Sequence, residues 1–182
     1  MRFLLKQLTD MRRILLLPLL SLALTQGAGA QEAAQSSSAD EQTGHQISRV
    51  ISQKFGVARE KAEQISAAVM SSASKYSLPP ALLLAIISIE SRFKERARGA
   101  NGATGLMQVV PTAHKRLVRN VDLTDPEANI ETGSAILHGY LKSAQGDVDV
   151  ALKNYGGSSA YAEKVSLRAK SFEPIAPSSD GK

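Results

Sequence analysis

The sequence contains no cysteine and no tryptophan, and aromatic residues make up only 4% of its 182 residues. Without cysteine the chain forms no disulfide and offers no thiolate to a zinc ion. The lack of tryptophan argues against a dedicated high-affinity lectin module, because sugar-binding clefts often stack rings on indoles. Since 43% of the residues are hydrophobic, we predict one domain with a small aliphatic core.

The excess of positive charge is largely a property of the N-terminus. The net charge is +5, but Arg2, Lys6, Arg12 and Arg13 lie in the first 30 residues. Residues 31–182 keep 18 of the 22 cations and 16 of the 17 anions, which is a net charge of +2. So small an excess does not indicate a nucleic-acid partner.

The three histidines do not form a metal-binding pattern. His45, His114 and His138 have no ligand partner at the spacing of three or four residues that helical metal sites use. No phosphate-binding glycine motif follows a predicted strand. We therefore expect neither a metal nor a cofactor.

The N-terminus has the features of a targeting segment. Arg12-Arg13 precedes the apolar stretch 14–24, and Ala28-Gly29-Ala30 provides the small residues of a signal peptidase site. This pattern predicts a cleaved signal peptide over residues 1–30 and a periplasmic mature protein, with an uncleaved anchor as the alternative. The true start is Met1 or Met11.

Helical periodicity follows a polar leader. Residues 31–46 are rich in Ala, Ser, Gln and Glu without apolar periodicity, and they are expected to form a flexible leader. Apolar residues then recur at helical spacing, which predicts an all-α catalytic domain over residues 47–172 and a flexible tail over 173–182. The predicted helices cover residues 47–55, 58–76, 81–93, 112–118, 125–141, 147–155 and 159–172.

The helix that follows Pro79-Pro80 is apolar nearly all round and ends in a glutamate, Glu90. A helix of this kind belongs in the core, because a surface helix would show a polar stripe. The negative end of the helix dipole and the apolar neighbours would both raise the pKa of Glu90. Such a carboxyl group can act as a general acid and then as a base. The alternative is a solvated helix end with a loose ion pair to Arg92.

Two polar clusters accompany this glutamate. The glycine-rich segment 99–105 can bring backbone N–H groups close to a ligand, and Met107 and Gln108 then offer an apolar contact and an amide. The second cluster is the segment 154–157, Asn-Tyr-Gly-Gly. A glycine-capped helix with a buried tyrosine is its structural alternative.

These motifs resemble those of the soluble lytic transglycosylases of family 1, which share the goose-type lysozyme fold. The similarity is carried by Glu90-Ser91, by Gly-Ala-x-Gly-Ala-x-Gly-Leu-Met-Gln at 99–108, and by Pro-Thr-Ala at 111–113. The resemblance implies cleavage of the bond between N-acetylmuramic acid and N-acetylglucosamine in peptidoglycan, with formation of a 1,6-anhydromuramoyl end. It also implies that Glu90 is the sole catalytic acid and base. The residues expected to bind substrate are Ser91, Gly105, Met107, Gln108, Asn154 and Tyr155.

The chain departs from the family at the motif Ala-Tyr-Asn-x-Gly. If Asn154 takes the position of the family asparagine, Lys153 replaces the tyrosine that is expected to hydrogen-bond the catalytic glutamate. A lysine there would lower the pKa of Glu90. The Asn154 register is the preferred one, and a shift of one or two residues would let Tyr155 take that role.

Alternatives of function therefore remain at this level. One is a goose-type muramidase, which would hydrolyse the same bond. Another is an inert peptidoglycan-binding assembly factor. The expected partners are peptidoglycan strands and, for local wall opening, components of an envelope-spanning secretion, pilus or conjugation apparatus, and the protein is expected to be a monomer.

Overall fold

The computed structural model describes residues 25–176, with side-chain environments from residue 38 onward. The described residues before and after the boundary between Glu41 and Gln42 belong to two separate units. Most of the signal peptide predicted for residues 1–30, including both candidate start methionines, lies outside the described residues, as does the end of the tail, 177–182. No helix in the described part of the chain is long and apolar enough to cross a membrane.

The described residues form six α-helices and one 3₁₀ turn, and they contain no β-strand beyond two isolated bridges, which confirms the all-α prediction. The helices are α1 (Thr25–Phe55), α2 (Arg59–Tyr76), α3 (Pro80–Glu90), α4 (Pro126–Ser143), α5 (Val148–Gly156) and α6 (Ser159–Lys170), and the 3₁₀ turn covers Ala100–Gly102. Several helix ends follow from local sequence. Pro80 opens α3, the Asp125 side chain accepts a hydrogen bond from the Ala128 amide at the start of α4, and Gly157 ends α5 in the left-handed conformation.

The core is organised around α3. This helix is buried over its first nine residues except the partly exposed Pro80, and it packs against α2 and α6. Helix α4 packs against α2 and α5, and α5 packs against α6. The largest fully buried side chains are Ile47, Ile51, Ile65, Leu83, Leu84, Ile86, Ile87, Leu106, Met107, Ile130, Leu137 and Leu152. The central position of α3, predicted from its lack of a polar stripe, is thereby confirmed.

The structure differs from the sequence-based expectation in three segments. Residues 31–46, expected to be a flexible leader, lie within α1, because Ala, Gln and Glu favour helix and the turns holding Ile47 and Ile51 are anchored in the core. Residues 112–118 form successive turns instead of a helix. The tail expected from residue 173 is packed at its start, since Ala176 is fully buried.

Candidate active site

Glu90 occupies the last turn of α3, at the point where the buried helix reaches the surface. Its predecessors Ile86 and Ile87 are fully buried, whereas Glu90 is partly exposed. The helix stops here because Arg92 and Phe93 both have positive φ angles, 54° and 62°. Two consecutive left-handed residues turn the chain sharply away from the helix axis, so the Glu90 side chain is presented at a helix end whose position the core determines.

Burial raises the pKa of the Glu90 carboxyl above its ordinary value. The Tyr161 hydroxyl and the Lys164 ammonium group act in the opposite direction, because both favour the carboxylate. The prediction of a raised pKa therefore agrees with the structure. A neighbouring carboxylate would add to the upward shift, and no carboxylate is among the described groups that act on the pKa of Glu90.

Tyr161 carries the hydroxyl that acts on the pKa of Glu90. This role was not predicted from the sequence. Its pKa is raised by burial and then by the neighbouring Glu90. The pair falls outside hydrogen-bond geometry, since the buried Tyr161 hydroxyl has no hydrogen-bond partner among the described residues. Catalytic hydrogen bonds are often loose in the absence of substrate. Tyr161 is therefore a candidate hydrogen-bond donor to the Glu90 carboxylate.

Gly156 explains how Tyr161 reaches this position. A Cβ atom at Gly156 would lie 2.2 Å from ring atoms of Tyr161, so only glycine leaves room for the ring. The Ser158 hydroxyl accepts a hydrogen bond of 3.1 Å from the Tyr161 amide and fixes the first turn of α6. Gly156 thus contributes to the site by leaving room for the ring of Tyr161.

The structure corrects the preferred register of this motif. Lys153 is exposed and lines a groove between α5 and α6 with Ser159 and Glu163, and it is not among the groups that shift the pKa of Glu90. Tyr155 instead lies within electrostatic range of Glu90, which after burial is the second cause that raises the pKa of Tyr155. The helical turn places positions 153 and 155 on different faces, so only one of them can point inward.

Tyr155 links helix α5 to the segment 99–108, which we call the glycine loop. Its hydroxyl donates a hydrogen bond of 2.9 Å to the backbone carbonyl of Met107. Asn154, predicted to bind substrate, is exposed at the same helix end. Tyr155 therefore positions this loop, while a role for Asn154 in binding stays a prediction.

Met107 and Gly105 do not line a cleft as predicted. Met107 is fully buried. Its sulfur packs so closely on Gly133 that a Cβ atom added to Gly133 would lie only 2.6 Å from it. Gly105 is buried with φ of 81°, and its amide donates to the carbonyl of Ala97 at 2.9 Å. Because helix packing and internal hydrogen bonds already use these groups, their contribution to the site is structural.

Asn129 holds this loop in place and was not singled out from the sequence. Its side-chain oxygen accepts from the Met107 amide at 2.8 Å, and its side-chain nitrogen donates to the carbonyls of Thr104 and Leu123, both at 2.8 Å. Asn129 is fully buried. A signal existed, since asparagine is a poor helix former and here occupies the apolar stripe of α4 beside Ile130. No comparable signal pointed to Lys164.

Gln108 and Ser91 are likewise engaged within the protein. The Gln108 amide donates to the carbonyls of Ala97 and Gly105 at 3.2 and 3.0 Å, and the residue has a φ of 48°. The Ser91 hydroxyl is buried and donates to the carbonyl of Ile87 at 3.1 Å. Direct binding of substrate by either residue would require these hydrogen bonds to be exchanged.

Comparison with known proteins places the chain in a family. The model of the family described as "Transglycosylase SLT domain" matches residues 68–174, more than half of the chain, and the chain belongs to that family. A curated relative, "Transglycosylase" of Enterobacteria phage PRD1, is 38% identical over 90 residues, which are 49% of this chain and 33% of the relative. The chain thus matches only about a third of that relative's length.

Two solved structures are similar at lower identity. The lytic transglycosylase Slt of Pseudomonas aeruginosa, solved as an inactive mutant, is 24% identical with a TM-score of 0.47, over 60% of this chain and 21% of that one. A 70-kDa soluble lytic transglycosylase in complex with bulgecin A is 19% identical with a TM-score of 0.49, over 66% and 20% of the two chains. Both scores are below 0.5, so the assignment to the family rests on the family model.

Proposed function

We propose that the protein is a lytic transglycosylase that cleaves the bond between N-acetylmuramic acid and N-acetylglucosamine in peptidoglycan. The observation that supports it most directly is a single glutamate, Glu90, with a raised pKa, at the end of a core helix and beside the hydroxyls of Tyr155 and Tyr161. Family membership supports the same activity.

In the proposed reaction Glu90 alone moves the protons. The protonated carboxyl gives its proton to the glycosidic oxygen as the bond from that oxygen to C1 of the muramoyl sugar breaks, and the substrate acetamido group relieves the developing oxocarbenium ion. The Glu90 carboxylate then takes the proton of the C6 hydroxyl while that oxygen bonds to C1. The acid is regenerated and no water is consumed. The hydroxyl of Tyr161 would stabilise the carboxylate between these steps.

The muramidase alternative requires water as the acceptor and, in ordinary glycosidases, a second carboxylate. Among the described residues, the groups that perturb Glu90 are a tyrosine and a lysine, which favours chemistry with one acid. The inert binding factor was suggested by Lys153 in the tyrosine position, and the exposure of Lys153 removes that motive.

Mass spectrometry of digested sacculi tests the proposal. The transglycosylase product is lighter than the hydrolysis product by one water, so products of the heavier mass would establish a muramidase. The variant Glu90→Gln keeps the shape of the side chain but cannot donate an acidic proton, and we expect turnover to fall by roughly 10² to 10⁴-fold. Activity of Glu90→Gln at the wild-type level would exclude Glu90 as the acid.

Export also belongs to the proposal. The basic and apolar N-terminus supports transport into the periplasm with cleavage after Ala30. N-terminal sequencing of the periplasmic protein, with Gln31 as the expected first residue, would test it. Local wall opening for an envelope-spanning apparatus and a monomeric state stay predictions from the sequence.

A further inference from the structure

A groove of about 590 Å³ opens beside the turn that follows Glu90. Its apolar surface is formed by Phe55, Val57, Ile65 and Phe93, and the rings of Phe55 and Phe93 lie 4.5 Å apart. Ile65 and Phe93 are buried, whereas Phe55 and Val57 are partly exposed. The groove therefore offers a firm apolar floor with accessible edges.

The rim of this groove carries an excess of positive charge. Lys61 and Glu95 neutralise each other in a salt bridge of 3.4 Å. Arg92, Lys94 and Arg96 also line the groove, are exposed, and take part in none of the salt bridges between described residues. Three cations thus remain around an apolar floor, an arrangement that favours an anionic ligand with small apolar parts.

One neighbouring carboxylate offsets part of this positive charge. The pKa of the exposed Asp122 is lowered first by hydrogen bonds from Thr124, and to a smaller extent by Arg96 and Arg98. Arg92 and Lys94 do not act on it. Arg92 and Lys94 therefore supply the larger part of the positive charge that the groove presents to a ligand.

The groove is connected to the candidate active site through the backbone. Arg92 and Phe93 are the two left-handed residues that end α3 directly after Glu90 and Ser91. Because the turn carries both of these side chains into the groove lining, a ligand in the groove contacts the same short segment that presents Glu90.

We propose that this groove binds the peptide stems of peptidoglycan through their carboxylates. This inference rests on the proposed function, since a muropeptide is the substrate that would bring such a branch to Glu90. Each stem hangs from the lactyl group of a muramic acid, carries free carboxylates and contains alanine methyl groups. The cations would bind the carboxylates, and the floor formed by Phe55 and Phe93 would accommodate the methyl groups.

Binding of a free stem tests the groove without any turnover. The probe is the tetrapeptide Ala-γ-Glu-diaminopimelate-Ala, titrated by calorimetry into the full-length inactive Glu90→Gln protein. Adding Arg92→Gln, Lys94→Gln and Arg96→Gln should weaken binding roughly tenfold, because each exposed ion pair contributes modestly and three are lost. Higher salt should also weaken binding of the tetrapeptide to the protein that carries only Glu90→Gln.

The matched control removes three exposed cations outside the groove, as Lys142→Gln, Arg168→Gln and Lys170→Gln. Binding by this control should stay within about twofold of the Glu90→Gln parent, since distant exposed charges are screened. An equal loss in both triple variants would mean that only net charge matters and would overturn the proposal. No binding of the tetrapeptide to the Glu90→Gln parent would overturn it as well.

A second comparison uses the active protein and two substrates, intact glycan strands and strands stripped of their stems by an amidase. The groove variant should lose activity roughly tenfold on intact strands and little on stripped ones. Equal losses on both substrates would show that the cations act on the glycan or on the fold, against the proposal. If the wild type cleaves neither substrate, the proposed function fails, and the binding experiment still decides the groove.

Discussion

Replacing Asn129 by alanine should destabilise the protein by about 2–6 kcal/mol. The structure indicates which groups lose their partner. The Thr104 carbonyl keeps a hydrogen bond from the Val109 amide, but the amide of Met107 and the carbonyl of Leu123 are left without the bonds that Asn129 provides. Each newly unpaired buried group costs about 1–3 kcal/mol, and the total is a large part of the 5–15 kcal/mol that typical domains possess.

Urea unfolding followed by circular dichroism measures this loss. Asn154→Ala is the matched control, because that asparagine is exposed, and its effect should be within about 0.5 kcal/mol. A loss below about 1 kcal/mol for Asn129→Ala would refute the argument that Asn129 holds the glycine loop.

The variant Asn129→Asp provides a sharper form of the same test. Its carboxyl group can still accept from Met107, but it must be protonated to donate to Leu123 or Thr104. Burial would therefore raise its pKa in the folded state, so that stability is present at low pH and is lost as the pH rises through that pKa. Asn129→Asp should approach the wild type near pH 4 and fall below it at pH 7.

The remaining predictions concern the surroundings of Glu90. Because burial raises the pKa of Glu90, its contribution to stability is present below the ordinary glutamate pKa and is lost as pH rises through the raised value; Glu90→Gln should abolish that dependence in thermal melts. Tyr161→Phe removes a group that lowers this pKa and should move the alkaline limb of the pH–rate profile to higher pH, and a downward shift would contradict the assignment. Lys164→Gln should shift the limb in the same direction, whereas Lys153→Tyr should leave it unchanged; a shift for Lys153→Tyr alone would restore the register rejected above. Gly156→Ala should displace the ring of Tyr161 and cost more than about 1 kcal/mol, and melts like those of the wild type would show that the ring adapts freely.

Sequence reasoning succeeded where one local pattern determined the outcome. The apolar α3 predicted both its central place and the raised pKa of Glu90, because burial and helix position follow from the run of residues before it. The boundaries of α2 and the buried face with Ile65 and Val69 followed from periodicity alone.

The parts that failed depend on contacts between distant segments. Met107 was expected in a cleft because its chemistry suits a sugar face. Gly133 in α4 instead leaves room for the Met107 side chain in the core. Tyr161 lies 71 residues after Glu90, and nothing near it in the sequence shows that it faces the carboxyl group. Propensity and spacing cannot predict such contacts, because the packing of the helices determines them.

The burial of α3 on all sides determines how this site can fail. Backbone amides in the middle of a core helix exchange with solvent only when the whole domain opens, whereas those of exposed turns exchange through local fluctuations. Leu83, Leu84, Ile86 and Ile87 are fully buried, so release of the turns of α3 that hold them should require opening of the whole domain. Glu90 should therefore keep its position up to the global melting transition, and thermal loss of its chemistry below that temperature would originate in the turns around it.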